Sequence, residues 1–236
     1  MCNTVSITIL DIRKEGIMSK YYIEIQKLVN DALGELYALH KSGKAIDAPI
    51  ANNLYLVRWV TKSIKSQAYD RVIVPDLVRW QKQGRSKGNN SDLTFTFKRI
   101  SAFYGRFFPE GEEPKALKDN DVEAFMDKMY EMGWSVSSED ELTTGGKIQF
   151  FTDGEHSFAL CGKQCDDSFD GELMVKPMNW FVRGNHAEFI QAAMEAGFML
   201  HKVTDYKSAV KYHGEYIVYP ANQGNQLAEI PISVIG

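Results

Sequence analysis

The chain has 236 residues, of which 44% are hydrophobic, 12% aromatic and 25% charged. That is enough apolar material for one large or two small cores, and too much for long disordered stretches. No apolar run approaches the roughly 18 residues that a membrane-spanning helix needs, so a membrane is not among the expected partners.

The formal net charge of −4 hides a strong asymmetry. Residues 1–57 are neutral overall, residues 58–106 carry 11 basic and 3 acidic side chains, and residues 107–236 carry 10 basic and 22 acidic ones. A split of this kind bears on partners rather than on fold. The three cysteines, Cys2, Cys161 and Cys165, are too few and too odd in number for a disulfide framework and fit a reducing cytoplasm.

In chain order, residues 1–17 hold a short apolar stretch, Val5 to Leu10, with no basic leader or small-residue cleavage site. They read as an N-terminal extension or edge strand rather than a signal peptide. Residues 19–42 read as a helix: Ile25, Leu28, Val29, Ala32, Leu36 and Leu39 recur at helical spacing, and Gly43 follows the end. Pro49 opens a second helix running to about Ala68. Val57, Val60, Ile64 and Ala68 mark its buried stripe, and Arg58, Lys62 and Lys65 form a separate basic stripe. Pro75 and Asp76 start a short helix for which Gly84 is a natural stop, followed by the loop GRSKGNNSD. Ser91 or Asp92 can cap the next segment, residues 93–108. There Leu93, Phe95 and Phe97 alternate as in a strand, but Leu93, Phe97, Ile100, Tyr104 and Phe107 give a longer helical pattern, so a helix is expected.

The stretch FPEGEEPKALKDND, with two prolines and five acidic residues, divides a basic helical domain (18–108) from an acidic α+β domain (109–236). In the second part, a helix at about 120–132 ends in Gly133 and leads into an extended WSVSS. KIQFFTD and HSFALC flank Asp153-Gly154-Glu155 as an antiparallel hairpin, and ELMV reads as a strand. A helix at about 186–196 leads through Gly197 into an extended FMLHKV; a short helix at 205–213 and the strand EYIVYP follow. AFMDKMYEMGWSV (124–136) and EFIQAAMEAGFML (188–200) echo each other as helix, glycine stop and aromatic-led strand. The echo is either a duplicated half-domain or one common way to end a helix and begin a strand. The fold class is therefore α+β: an N-terminal helical bundle, then a mixed α/β part with an antiparallel hairpin and two main helices.

The basic region carries the strongest functional signal. Arg58, Lys62, Lys65, Arg79, Lys82, Arg85 and Lys87 are the residue types that release counterions on binding phosphate, and arginine adds bidentate contacts. Trp59, Tyr69 and Trp80 lie among these charges and can stack on bases or pack in a core; Asn89 and Asn90 can read a base edge. The bland alternatives are a solvated face, or one that docks on an acidic protein surface, including the acidic half of a second copy. GRSKG is not GxxxxGK[ST], so no phosphate-binding enzyme loop and no cofactor are expected. Cys161-Gly-Lys-Gln-Cys165 with His156 has the right chemistry for zinc, but CxxxC lacks a second pair, so no metal is expected. His40, His186, His201 and His213 stand in no HExxH, and no GxSxG accompanies them. Acid–base pairs cannot be picked from the acidic half's many carboxylates.

LYLVRWVTKSIKSQ (54–67) and DLVRWQKQGRSKG (76–88) resemble domain of unknown function 2913, an uncharacterised bacterial family, mainly over residues 20–110. The resemblance implies a bacterial cytoplasmic accessory protein and brings no activity or site residues. The leading expectation is thus non-enzymatic, association with DNA or RNA through the phosphate backbone, with an unrecognised active site in the C-terminal half left open. The alternative is a protein-interaction or inhibitor role, for example in phage–host conflict, with a partner protein or a homodimer.

Overall fold

The computed structural model describes residues 20–139, 154–203 and 214–235. The expectations for residues 1–17, for the arm KIQFFTD and for a helix at 205–213 lie outside these residues. Among the described residues there are seven α-helices, a mixed five-stranded sheet and a two-stranded ribbon, so the protein is α+β.

Four helices come first. Helix α1 (Tyr21–Lys41) buries Ile25, Leu28, Val29, Ala32 and Leu36 on one stripe. Helix α2 (Pro49–Ser66) begins with its proline in the first turn, where the missing N–H has no intrahelical partner to lose. Its buried stripe is Leu56, Trp59, Val60 and Ser63, rotated from the one expected; Val57 and Ile64 are half-buried and Ala68 lies beyond the helix end, exposed. Aromatic Trp59 turns inward and takes the core position that the aliphatic pattern alone assigned to its neighbours. Helix α3 (Val74–Lys87) does not stop at Gly84. That glycine is buried, and an added Cβ would lie 2.6 Å from one Val57 methyl carbon and 2.9 Å from the other. It serves close helix packing, and the helix runs one turn further before Gly88. Helix α4 (Leu93–Phe107) buries Leu93, Phe97, Ile100, Phe103 and Tyr104, while Phe95 stays largely outside; the helical period prevails over the alternating one. Asp92 caps it, its Oδ1 accepting the Phe95 N–H at 3.2 Å.

The remaining elements are α5 (Asp119–Glu131), β1 (Ser135–Glu139), β2 (Ser157–Cys161), α6 (Gly162–Ser168), β3 (Phe169–Asp170), β4 (Leu173–Met174), β5 (Met178–Arg183), α7 (His186–Glu195), β6 (His201–Lys202) and β7 (Gly214–Val218). The sheet order is β1-β2-β5-β7-β6, with β1 parallel to β2 and the other pairs antiparallel. HSFALC supplies β2, whose neighbours are β1 and β5. The sequence reading missed β5, the middle strand, and the short helix α6; ELMV contributes only the two residues of β4, paired with β3. Phe158, Trp180, Val182 and Tyr216 form one core with Phe125 of α5 and Phe189 of α7. Phe125 stacks on Trp180 at 5.1 Å and meets Phe189 edge-on at 5.4 Å.

The internal echo is one capping geometry used twice. Gly133 and Gly197 sit at φ +85° and +92°, and Trp134 and Phe198 donate their N–H groups five residues back, to Met129 and Ala193. This is the Schellman arrangement, which glycine supports at least cost. Both aromatic residues then drop into the same core.

The chain end returns to the helical bundle. Met199 and Ala228 belong to the bundle's core. Arg99 of α4 donates to the carbonyls of Ile230 (2.9 Å), Pro231 (2.7 Å) and Val234 (3.0 Å), and the Ala228 N–H donates to the Tyr104 hydroxyl at 3.1 Å.

The α2–α3 contact is open to test. Gly84→Val is expected to cost about 1–3 kcal/mol by overpacking, read as a lower urea midpoint at unchanged slope. In a double-mutant cycle, Val57→Ala should relieve a large part of that loss. Additive losses would place the strain away from this contact.

Candidate functional site

The α2–α3 pair sets the geometry of the basic side chains. Three contacts along its seam fix the pairing: Asn53 Nδ2 donates to the Gly88 carbonyl at 2.9 Å, Val57 packs on Gly84, and Gln81 Nε2 donates to Thr61 Oγ1 at 3.2 Å. Numbers rise on one helix as they fall on the other, so the helices are antiparallel. Arg58 and Lys62 each follow a seam residue of α2 by one position, and Lys82 and Arg85 follow Gln81 and Gly84 of α3 in the same way. In an antiparallel pair, a step of one residue, 100° of turn, carries both helices to the same flank. Lys65 lies one turn beyond Lys62. These five cations share one flank, and all five are exposed.

The flank has no counter-charge of its own. Residues 48–69 and 77–91 contain no aspartate or glutamate. Among the described residues none of the five takes part in an ion pair. Arg58, Thr61, Lys62, Lys65 and Ser66 line a shallow depression of about 490 Å³ on α2.

The other predicted contacts fall elsewhere. Arg79 is about 60° further round α3 than Lys82, and its Nη2 pairs with Asp76 Oδ1 at 2.6 Å. Lys87, at the helix end, is exposed but on the other side of the seam. Trp80 is 1% exposed, edge-on to Phe97 at 4.8 Å, and Trp59 is 7% exposed. Trp80 is therefore a packing anchor and not a stacking platform. The Tyr69 hydroxyl donates to Asp31 Oδ2 at 2.9 Å. Asn90 is exposed, while the side chain of Asn89 lies outside the described ones.

A second concavity, about 620 Å³, lies where the chain end meets the bundle; Tyr21, Asp76, Arg79, Lys202, Gln226 and Glu229 are among its lining residues. The Tyr21 hydroxyl donates to Asp76 Oδ2 at 2.6 Å. Burial raises the pKa of Asp76 against the opposing pull of the Tyr21 hydrogen bond and Arg79, and burial likewise raises that of Tyr21. Sequence reasoning named Arg79 as a phosphate contact and Asp76 only as a helix start, and missed the group, because residues 21, 76, 202 and 229 share no local motif.

The zinc candidates are held apart. His156 precedes β2 and Cys161 ends it, so about 16 Å of strand separates them. His156 Nδ1 accepts the Asn185 N–H at 3.3 Å. Burial, with Asp119, Asp166 and Glu123 nearby, pushes the Cys165 thiol up to about 11, which disfavours the thiolate a metal needs. Among the described residues no group of three or more His, Cys, Asp or Glu side chains is placed to hold a metal ion.

Over residues 20–231 the chain matches the family described as Protein of unknown function (DUF2913). The chain belongs to this family. The match extends well beyond residues 20–110, taking in the sheet and most of the returning segment. No curated protein and no solved structure matches the chain. Among the described residues no helix is long and apolar enough to cross a membrane.

His201 lies behind the second concavity. Its Nδ1 is 2.9 Å from the Gln226 carbonyl, which can only accept, so the proton sits on Nδ1; Nε2 is buried without a partner among the described residues. Burial lowers its pKa from 6.5 to about 4. The unfolded chain thus binds more protons between these values. The stability contributed by a neutral His201 is fully present above pH 6.5 and is lost as the pH falls toward 4, by up to about 1.4 kcal/mol per pH unit. Urea unfolding across this window should show wild type losing stability against His201→Gln as the pH drops; parallel curves would contradict a buried neutral imidazole.

Proposed function

We propose that this DUF2913 protein is a non-enzymatic accessory protein that associates with nucleic acid through the phosphate backbone, using the basic flank of α2 and α3. The observation that carries the reading is the set of five exposed cations, Arg58, Lys62, Lys65, Lys82 and Arg85, on one flank with no acidic residue in either facing stretch. Structural lysines and arginines are usually interleaved with carboxylates; a single-sign surface concentrates polyanions and pays for itself only with a partner of opposite charge. Arg79, committed to Asp76, and Lys87, across the seam, do not belong to this set. A bacterial cytoplasmic setting completes the proposal.

A second reading has its own observation. Glu123, Asp127 and Glu131 form an exposed acidic stripe along α5, repeating every four residues, the same step that separates Arg58 from Lys62. Such a stripe matches the basic flank of a second copy or of a partner protein, as an inhibitor or regulatory role would use.

Fluorescence anisotropy with labelled DNA and RNA oligonucleotides tests the first reading. If about five phosphates are neutralised on a duplex, log affinity falls against log salt with a slope near −4.5, about 500-fold between 50 and 200 mM. Lys62→Ala/Lys65→Ala/Lys82→Ala/Arg85→Ala should flatten the slope to about −1. Absence of binding at low salt retires this reading. For the second reading, sedimentation of the protein alone at low and high salt is decisive: a dimer that salt or Glu123→Lys/Asp127→Lys dissolves supports it, and a salt-independent monomer removes the self-association form.

A further inference from the structure

We infer that the nucleic acid taken by the basic flank is a duplex, held by both of its phosphate rows and not read through its bases. The inference rests on the phosphate-binding reading above and narrows it.

The first observation is the fate of the aromatic side chains. Surfaces that hold single strands gain about 1–3 kcal/mol per base by stacking bases on exposed rings. Trp59 and Trp80, the tryptophans interleaved with the cations, are both buried. Tyr55 and Tyr69 donate their hydroxyls to Glu35 and Asp31 of α1, away from the flank. The exposed aromatic rings among the described residues are Tyr37, Phe95 and Tyr130, which stand on α1, α4 and α5. The flank has charge without a stacking platform.

The second observation is the arrangement of the cations in two rows. Arg58, Lys62 and Lys65 extend about 10 Å along α2, and Lys82 and Arg85 form a second row on α3, with helix axes about 8–10 Å apart. A single strand offers one row of phosphates. A duplex offers two, with one charge per roughly 1.7 Å of axis. Two cation rows on one flank engage the two phosphate walls of a groove together.

The third observation is that Thr61, Ser66 and Gln81, neutral polar side chains beside the cations, are already engaged within the fold. Thr61 donates its hydroxyl to the Val57 carbonyl at 2.9 Å, and Ser66 donates to the Lys62 carbonyl at 3.0 Å. The Gln81 amide is engaged with Thr61 at the seam. A major groove about 12 Å wide admits one helix, not two side by side, so the pair lies across the groove instead of entering it. With contacts only to phosphate, affinity is indifferent to sequence.

The test compares labelled duplex DNA, duplex RNA, a scrambled duplex and unstructured oligo-dT, all of one length, by anisotropy over a salt series. Duplexes are expected to bind at least about tenfold more tightly than oligo-dT, with little change on scrambling. The two duplex arms separate a DNA partner from an RNA one. Oligo-dT binding as tightly as duplex, with Lys62→Ala/Lys65→Ala still weakening it, overturns this inference while the phosphate-binding reading survives. Strong preference for one duplex sequence overturns it as well. Failure of every probe to bind removes the phosphate-binding reading itself.

Discussion

The close approach of α2 to α3 at Gly84 governs the surface that this protein presents. With hydrogen in place of a side chain, Gly84 lets the Val57 methyls fill the space where a Cβ would stand. That contact fixes the register of the antiparallel pair, and the register decides which charges are neighbours. A shift of one residue on α3 would turn Lys82 and Arg85 by 100° and separate the rows. Asn53, buried at the end of the same seam, locks the register a second time. Its amide donates to Gly88, and its Oδ1 accepts from the Ser91 hydroxyl at 3.0 Å and the Leu93 N–H at 2.9 Å. One side chain thereby ties α2 to the turn after α3 and to the start of α4. Packing and charge display are thus consequences of the same contact.

The second constraint is the returning chain end. Arg99 gathers three carbonyls of the segment after residue 229, and Tyr104 receives the Ala228 N–H. The carbonyls of Ile230, Pro231 and Val234 stand outside any helix or strand, so a guanidinium with five donors is an efficient clasp. The clasp holds down the segment next to Asn225, Gln226, Leu227 and Glu229, which line the concavity with Asp76, and the family match takes in most of this segment. Arg99 belongs by sequence to the most basic part of the chain, yet its charge is spent internally. The same holds for Arg79 on Asp76. Counting charges along the sequence therefore overstates the basic surface, and only the geometry of the flank separates partnered cations from available ones.

Much of the helical half was legible because its signals are local: Pro49, the stripe of α1, the Asp92 cap and the longer of two periods in residues 93–108. What failed there failed for tertiary reasons. Gly84 looks like a stop in one dimension, but its role is set by Val57, 27 positions away. Trp80 sits among charges in sequence, but 100° per residue puts it inside. In the sheet half, Gly133 and Gly197 were readable since a Schellman cap is written in six consecutive residues. Strand β5 was not. MNWFVR has no alternation, because a middle strand is covered on both faces, so Pro177 before it and Gly184 after it were the only local signals it offered. The lysines and arginines of the candidate flank were readable as residue types; their division into two rows on one side, with Arg79 and Lys87 outside, depends on a register that no local pattern records.

The proposed interface also accounts for why a chain with net charge −4 can carry a phosphate-binding face. Long-range attraction to a polyanion depends on the distribution of charge more than its sum, and at physiological salt fields fade within about 8 Å. In the proposed contact, phosphates along the backbone would meet the cations of the flank, and residues 48–69 and 77–91 supply no acid to oppose them. The acidic stripe of α5 would be repelled by the same polyanion wherever the two came within that screening distance. Glu123, Asp127 and Glu131 are exposed on α5, where a second protein can reach them. The two readings then use different surfaces of one molecule: a nucleic-acid contact on α2 and α3 leaves the complementary acidic helix available, whereas self-association through flank and stripe consumes both. Competition between duplex and self-association is the physical relation between them, and it follows from the flank being the basic partner in each.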